Sequence, residues 1–351
     1  MDTLTNTQYI IQPEELATQL PAGYTARPVT MSDLEAAVDL FNRYSRAVEG
    51  VDQITVESLR HEWEMPVFNI ETDTMAVFTE DGQIVAYNEF YASAPYVRYH
   101  SWGLTDHAHQ ARGLGSFLVE WMQERGRRTL EKAPADARVT LGQSFNHKVE
   151  PAGRLLAAND MKMVRNFYTM QIDFDGDPQP ANLPEGITIR TVENDDDFRA
   201  AVHGVYESFR DHWGMVDEPF DSFLKRWNEN VKTDPKFDQS LWFLAMDGDE
   251  VAGVSLCWDH IDEDPERGWV GSLGVRRPWR KHGLGLALLQ YSFVTLAKRG
   301  KPRVGLGVDA SSLTGATRLY ERAGMRVVRQ FDVYEIELRA GKDYTTQTVE
   351  E

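Results

Sequence analysis

The chain has 351 residues, 42% hydrophobic and 26% charged, a length for about two domains and an ordinary composition for a globular protein with a sizeable core. Its 55 acidic against 37 basic residues give a formal charge of −18. That repels phosphate backbones and anionic membranes, so no nucleic-acid or membrane partner is expected; the same charge serves solubility or attracts a cationic substrate.

After a polar arm (1–20) the chain runs through the turn Pro21-Ala22-Gly23 into a short strand ending at Arg27. An acidic helix start follows at Ser32-Asp33, with an Ala-Ala-Val helix at Ala36. Further on, Gln110-Ala111-Arg112-Gly113-Leu114-Gly115 joins a strand to a helix, and Val164-Arg165-Asn166-Phe167 opens a strand through Ile172. The stretch Asp175-Gly176-Asp177-Pro178-Gln179-Pro180 suits a linker.

The pattern then repeats. Pro184-Glu185-Gly186 leads a strand to Arg190, Asp195-Asp196 starts a helix with Ala-Ala-Val at Ala200, and strands at 241–245 and 251–256 flank Asp247-Gly248. Residues 269–275 read as a strand, Arg280-Lys281-His282-Gly283-Leu284-Gly285 as a second glycine turn, and 283–298 as a helix stopped by Gly300. A strand at 304–308, a short helix at 314–322 closed by Gly324, and Val328-Arg329-Gln330-Phe331 through Ile336 complete the copy. The two ends of the repeat match without a gap, which predicts two copies of one unit rather than a solenoid. The expected division is an arm (1–20), a first domain (21–174), a linker (175–185), a second domain (186–339) and a flexible tail (340–351). The fold class is α/β (α+β, mixed sheet), each copy a mostly antiparallel mixed sheet flanked by helices.

Glycine lets the backbone approach a ligand, and the first N–H groups of a helix have no intrahelical partner. With the helix dipole they form an anion cradle suited to a pyrophosphate. Either turn alone is weak evidence; twice at matching places, each between strand and helix, they point to phosphate binding. A dinucleotide fingerprint is excluded because Gln110 or Arg280 leads where glycine must, and a P-loop because no Gly-Lys-Ser/Thr follows.

These residues resemble the GNAT superfamily of N-acetyltransferases, whose acetyl-CoA signature is Gln/Arg-x-x-Gly-x-Gly/Ala. Its second signature, an alanine, leucine, tyrosine helix ending in glycine, is similar to Ala316-Thr317-Arg318-Leu319-Tyr320-Glu321-Arg322-Ala323-Gly324. The resemblance covers most of 186–338 and, more loosely, 23–174, in a tandem layout. It implies acetyl-CoA as cosubstrate, held by Leu273, Gly274, Val275, Arg280, Lys281, His282, Gly283, Leu284, Gly285 and Leu286, with Tyr320 near the sulfur.

The copies differ in charge. Arg276, Arg277, Arg280, Lys281 and His282 surround the second turn, whereas the first has Asp106, His107, His109, Gln110 and Arg112. Coenzyme phosphates favour the second. Tyr320 also aligns with Leu156, which has no proton to give. The first copy is therefore expected to be degenerate and non-catalytic, with Gln110, Arg112, Gly113 and Gly115 as a second candidate coenzyme site.

The resemblance further implies direct attack by an amine, Tyr320 as general acid, and the main chain of Leu273 polarising the carbonyl. Many relatives carry a glutamate base where this chain has Trp269. Glu266, Asp259, His260 or a water relay is left for that role, Glu266 being the residue carried into the expected catalytic set. Cys257, the only cysteine, leaves no disulfide or cysteine-ligated zinc site; it lies in the apolar run Val254-Ser255-Leu256-Cys257-Trp258 and reads as structural. No metal is expected. His212, Trp213, Asp259 and Trp269 are the expected substrate residues, since aromatic walls with carboxylates suit a cationic amine.

The expected function is acetyl transfer to a small-molecule primary amine in the second copy. The alternatives are a non-catalytic acyl-CoA sensor and a protein N-terminal or lysine acetyltransferase. A monomer or homodimer in the cytoplasm is expected, the first 15 residues having no leader pattern and the chain no membrane-length apolar run.

Overall fold

The computed structural model describes residues 20–347. Two compact units divide the described chain: 20–164 with Val333–Asp343, and Arg165–Asp332 with 344–347.

In the first unit, β1 (Tyr24–Arg27) is followed by helices α1 (Leu34–Glu49), α2 (Val56–Trp63) and α3 (Ile70–Asp73). Strands β2 (Thr74–Thr79), β3 (Ile84–Ala92) and β4 (Arg98–Thr105) come next, then α4 (Leu114–Thr129), β5 (Val139–Asn146) and α5 (Glu150–Ala158). The strands lie in the order β1-β2-β3-β4-β5, antiparallel except for β4 and β5. Leu34, Leu40, Phe41, Leu59 and Trp63 bury one face of the sheet, and Phe117, Leu118, Trp121 and Met122 of α4 pack with Val85, Phe90, Tyr99 and Leu141.

The second unit repeats the pattern. It contains most of β6 (Lys162–Asp173), then β7 (Ile187–Thr191), α6 (Asp195–Phe209), α7 (Phe220–Asn230), β8 (Trp242–Asp247) and β9 (Glu250–Trp258). These lead into β10 (Arg267–Val275), α8 (Leu284–Lys298), β11 (Arg303–Asp309), α9 (Ala316–Arg322) and the start of β12 (Arg326–Arg339). Asn194 caps α6 by accepting the Asp197 N–H at 3.0 Å, and Asp195, Asp196 and Asp197 in its first turn complement the helix dipole. The strand order is β6-β11-β10-β9-β8-β7, with only β10 and β11 parallel. Each copy is thus a mostly antiparallel mixed sheet flanked by helices.

The last strand of each copy does not stay with its own unit. β6 pairs with β11 in unbroken register from Asp173 opposite Arg303 to Phe167 opposite Asp309. In the same way Val333–Asp343 belongs to the first unit, where Arg138 pairs with Glu335 and Glu337. The sequence drew the division at 175–185; hydrogen bonding along β6 moves it to Val164/Arg165.

The expected flexible tail also differs over its described part. Arg138 N–H donates to the Lys342 carbonyl and Lys342 N–H to that of Asp136. In the second unit Gly214 N–H donates to the Thr346 carbonyl and Thr346 N–H to that of Met215. Backbone pairing holds this polar segment where composition suggested fraying. Residues 348–351, and the arm except Leu20, lie outside the described residues.

Candidate active site

Strands β10 and β11 pair in parallel only from Arg267 opposite Arg303 to Val270 opposite Leu306. Just beyond, Gly271 forms a bulge, where the register against β9 slips between Val270 and Ser272. A Cβ at Gly271 would lie 2.2 Å from Cζ3 of Trp258, so only glycine lets the strand pass the indole there. The two strands part and leave a cavity of about 190 Å³. Val270 and Leu273 come from β10, Leu306 and Asp309 from β11, Ala316 and Tyr320 from α9, and Phe209, His212 and Trp213 from the end of α6 and beyond.

Tyr320 is only 8% exposed, and among the described residues its hydroxyl has no hydrogen-bond partner. Burial pushes its phenol up to about 12, so it is protonated at neutral pH. A donor with no internal partner, on a cavity wall, is suited to a ligand atom. Gly324 ends this helix with φ +91°, as the C′ glycine expected from the sequence.

The second glycine turn is open. Gly283 caps α8 with φ +84°, no side chain caps the first amides of the helix, and a Cβ at Gly283 would meet nothing within 4 Å. Lys281 precedes it, also in the left-handed region at φ 68°. Lys281 and His282 are exposed on the turn, and this bare, basic backbone fits the diphosphate of a coenzyme. Arg280 does something else. Its Nε donates to the Val275 carbonyl at 2.9 Å and one terminal nitrogen to that of Ser208 at 3.1 Å, while the other pairs with Asp211. Arg277 also pairs with Asp211, and these guanidiniums, Arg277 foremost, hold that carboxyl down to about 2. The clamp fastens the end of α6 to the turn.

His212 is half-buried against Phe209, ring centroids 4.2 Å apart. Burial first, and then the Arg280 charge, lower its imidazole below the usual range. Trp213 stacks under the Arg165 guanidinium at 4.8 Å, and its indole N–H donates to Gln347 at 3.1 Å. Arg165 in turn pairs with Asp309 at 3.1 Å.

Three expected site residues lie elsewhere. Glu266, 70% exposed, pairs with Arg303 and does not line the cavity, because it stands just before the start of β10 while the cavity opens at the bulge further along. Asp259 pairs with Lys301 at 2.7 Å and faces His260 at 3.5 Å, again off the cavity. Trp269 packs over Gly305, where a Cβ would sit 2.8 Å from its ring. Cys257 is buried on β9, its thiol pushed up by burial to about 11. Asp309, Asp211 and Gly271 were not singled out from the sequence; a glycine interrupting an apolar strand was the available signal for the bulge. Among the described residues no group of side chains could hold a metal.

The first unit has the same turn with different chemistry. Gly113 caps α4 with φ +85° and Ala111 has φ 57°, and a cavity of about 560 Å³ includes Gln110, Gly113, Gly115, Gln143 and Leu156. Arg112, off that wall, donates to the Tyr24 hydroxyl at 3.1 Å. Strand β4 pairs with β3 without a bulge, and Leu156 stands where the second unit has Tyr320. The fastening persists with its charges exchanged: Arg43 of α1 donates to Asp106 of the turn at 2.9 Å.

Residues 202–325 match the model of the acetyltransferase (GNAT) family. A mycothiol acetyltransferase of Streptomyces scabiei is 31% identical over 232 residues, 66% of each chain. One from Thermomonospora curvata is 31% identical over 61% of this chain and 65% of its own. The chain thus spans about two thirds of these curated relatives. Among solved structures, a GCN5-related N-acetyltransferase from Sphaerobacter thermophilus is 33% identical with a TM-score of 0.77, over 92% of this chain and 98% of that one. The tandem GNAT protein from the clavulanic acid biosynthesis pathway shares the fold at 15% identity and a TM-score of 0.67, over 91% and 100%.

Proposed function

Because the chain belongs to the GCN5-related N-acetyltransferase (GNAT) family and is an acyltransferase, we propose that it moves an acetyl group from acetyl-CoA to a primary amine of a small molecule, in its second unit. The observation that carries this reading is the unpartnered Tyr320 hydroxyl on a cavity beside a bulged strand, a combination the first unit lacks.

The amides opening α8, with Lys281 and His282, hold the diphosphate of the cosubstrate. The pantetheine arm follows Val275 and Leu273 towards the cavity, as an added strand follows an edge. The Leu273 main chain polarises the thioester carbonyl, and Tyr320 gives its proton to the departing sulfur. Asp211 keeps Arg277 and Arg280 at the turn, so phosphate recognition falls on the backbone and on Lys281 and His282. The cavity at Gln110, Gly113 and Gly115 is a second place for a coenzyme, without transfer chemistry, because Leu156 offers no donor.

The direct test is thiol release from acetyl-CoA in the presence of glucosamine, spermidine, kanamycin and a dipeptide with a free amino terminus. Release dependent on one of the small amines supports the reading. Release with the dipeptide alone would move the acceptor to proteins, and no release with any amine would remove the reading.

A further inference from the structure

Three lining residues of the second unit's cavity titrate: Tyr320, Asp309 and His212. Tyr320 is held protonated by burial and is suited to giving a proton, not taking one. Asp309 is committed, its carboxylate paired with Arg165 at 3.1 Å and accepting the Ser311 N–H at 2.9 Å. His212 is different. Among the described residues its ring has no hydrogen-bond partner, only the Phe209 face at 4.2 Å. The carboxylates considered from the sequence, Glu266 and Asp259, are tied in ion pairs off the cavity, and Trp269 packs over Gly305.

We propose that His212 is the general base that deprotonates the acceptor amine. This rests on the reading that thioester and amine meet in the second unit's cavity. An imidazole nitrogen takes one proton from the ammonium form of the amine. The freed nitrogen lone pair forms the new C–N bond as the C–S bond breaks. The sulfur takes the Tyr320 proton, and the second proton lost by the nitrogen restores the phenol. His212 then passes its proton to solvent, so ammonium and thioester give amide, thiol and one released proton.

The surroundings favour the accepting form. From α6 and the following turn, the Phe209 ring and Asp211 face the imidazole; from the glycine turn comes Arg280, from β11 Asp309 with its partner Arg165 of β6, and from α9 the neutral Tyr320. Burial and Arg280 disfavour the imidazolium more than Asp309 and Asp211 favour it, so His212 is neutral at pH 7. The backbone holds it in place: His212 N–H donates to the Phe209 carbonyl at 2.9 Å, and the next residues pair with Thr346.

The experiment compares wild type, His212→Gln and His212→Ala with the same four amines, over a pH series. The wild-type rate should fall as pH drops through a value below the usual 6.5, because protonation removes the base. At pH 7 His212→Gln should lower kcat ~100-fold, lose that acid limb and leave calorimetric acetyl-CoA affinity unchanged; added imidazole should restore part of the His212→Ala rate. The His212 ring proton should titrate by NMR below the ordinary histidine range without any ligand. Retention of both kcat and acid limb by His212→Gln, or a rise in amine KM alone, would overturn the assignment while leaving acetyl transfer in place. Wild type that binds acetyl-CoA but acetylates none of the four amines would overturn both.

Discussion

Asp211, 3% exposed, receives the guanidinium of Arg280, the residue that opens the second glycine turn. The residue that a phosphate-binding reading would assign to the coenzyme is thus spent on positioning the end of α6, with Phe209, and the turn after it that carries His212.

Replacing Asp211 by Asn should therefore cost about 3 kcal/mol of stability, the low end for breaking a buried pair, because Arg277 stays largely solvated. The carboxyl is held down to about 2 from 3.8, so its contribution is complete above 3.8 and lost as pH falls towards 2. Urea unfolding of both proteins between pH 7 and pH 2 checks this: the gap should be constant near neutrality and shrink at the acid end. A constant gap down to pH 2 would remove the ion pair from the explanation.

Tyr320→Phe should lower kcat ~100-fold or more with acetyl-CoA affinity kept, since the ring still packs in the apolar cluster around Phe293 and Leu306. Steady-state rates and calorimetry on the same preparation separate the two effects. Equal turnover would take the phenol out of the mechanism.

Much of this was legible in the sequence, because it was written locally. The repeated turn and strand, the glycine at each helix start and the alanine-rich tyrosine helix are short-range signals, and their elements stand within a few residues of expectation. What was hidden depends on partners distant in the chain. Alternation in β6 says that it is a strand, not that β11 of the other copy is its neighbour. Asp211 reads as one more acidic residue until Arg277 and Arg280 come round to it. Glu266 is one of several polar residues on adjoining strand or loop that the sequence leaves open for the base, yet it stands just before β10, at the end away from the bulge, where Arg303 meets it.

The two glycine turns should respond unequally to a negative charge. Gly283→Asp should raise the acetyl-CoA KM roughly 10-fold or more by placing a carboxylate at the helix N-terminus. Gly283→Asn, with the same left-handed backbone demand at φ +84°, should do much less. Gly113→Asp in the first unit should leave KM unchanged. An equal rise from Gly113→Asp would mean that the first turn serves the reaction too.

The bulge makes a separate demand. Gly271→Ala places a methyl 2.2 Å from the Trp258 ring, and relieving that clash should cost about 1–3 kcal/mol while reducing kcat through movement of Leu273. Thermal unfolding and rate measurements on Gly271→Ala, and on Gly271→Ala combined with Trp258→Phe, check the cause. Recovery in the double variant is expected; no recovery would place the damage elsewhere.

The most direct measurement is a crystal structure with a non-hydrolysable thioether analogue of acetyl-CoA. The expected density has the diphosphate on the amides at Gly283–Gly285 and the sulfur within hydrogen-bond reach of the Tyr320 hydroxyl, its carbonyl in the cavity shared with His212. An analogue bound only at Gly113 in the first unit, or one in the second unit whose acyl end points away from Tyr320, would contradict the assignment of catalysis to the second unit.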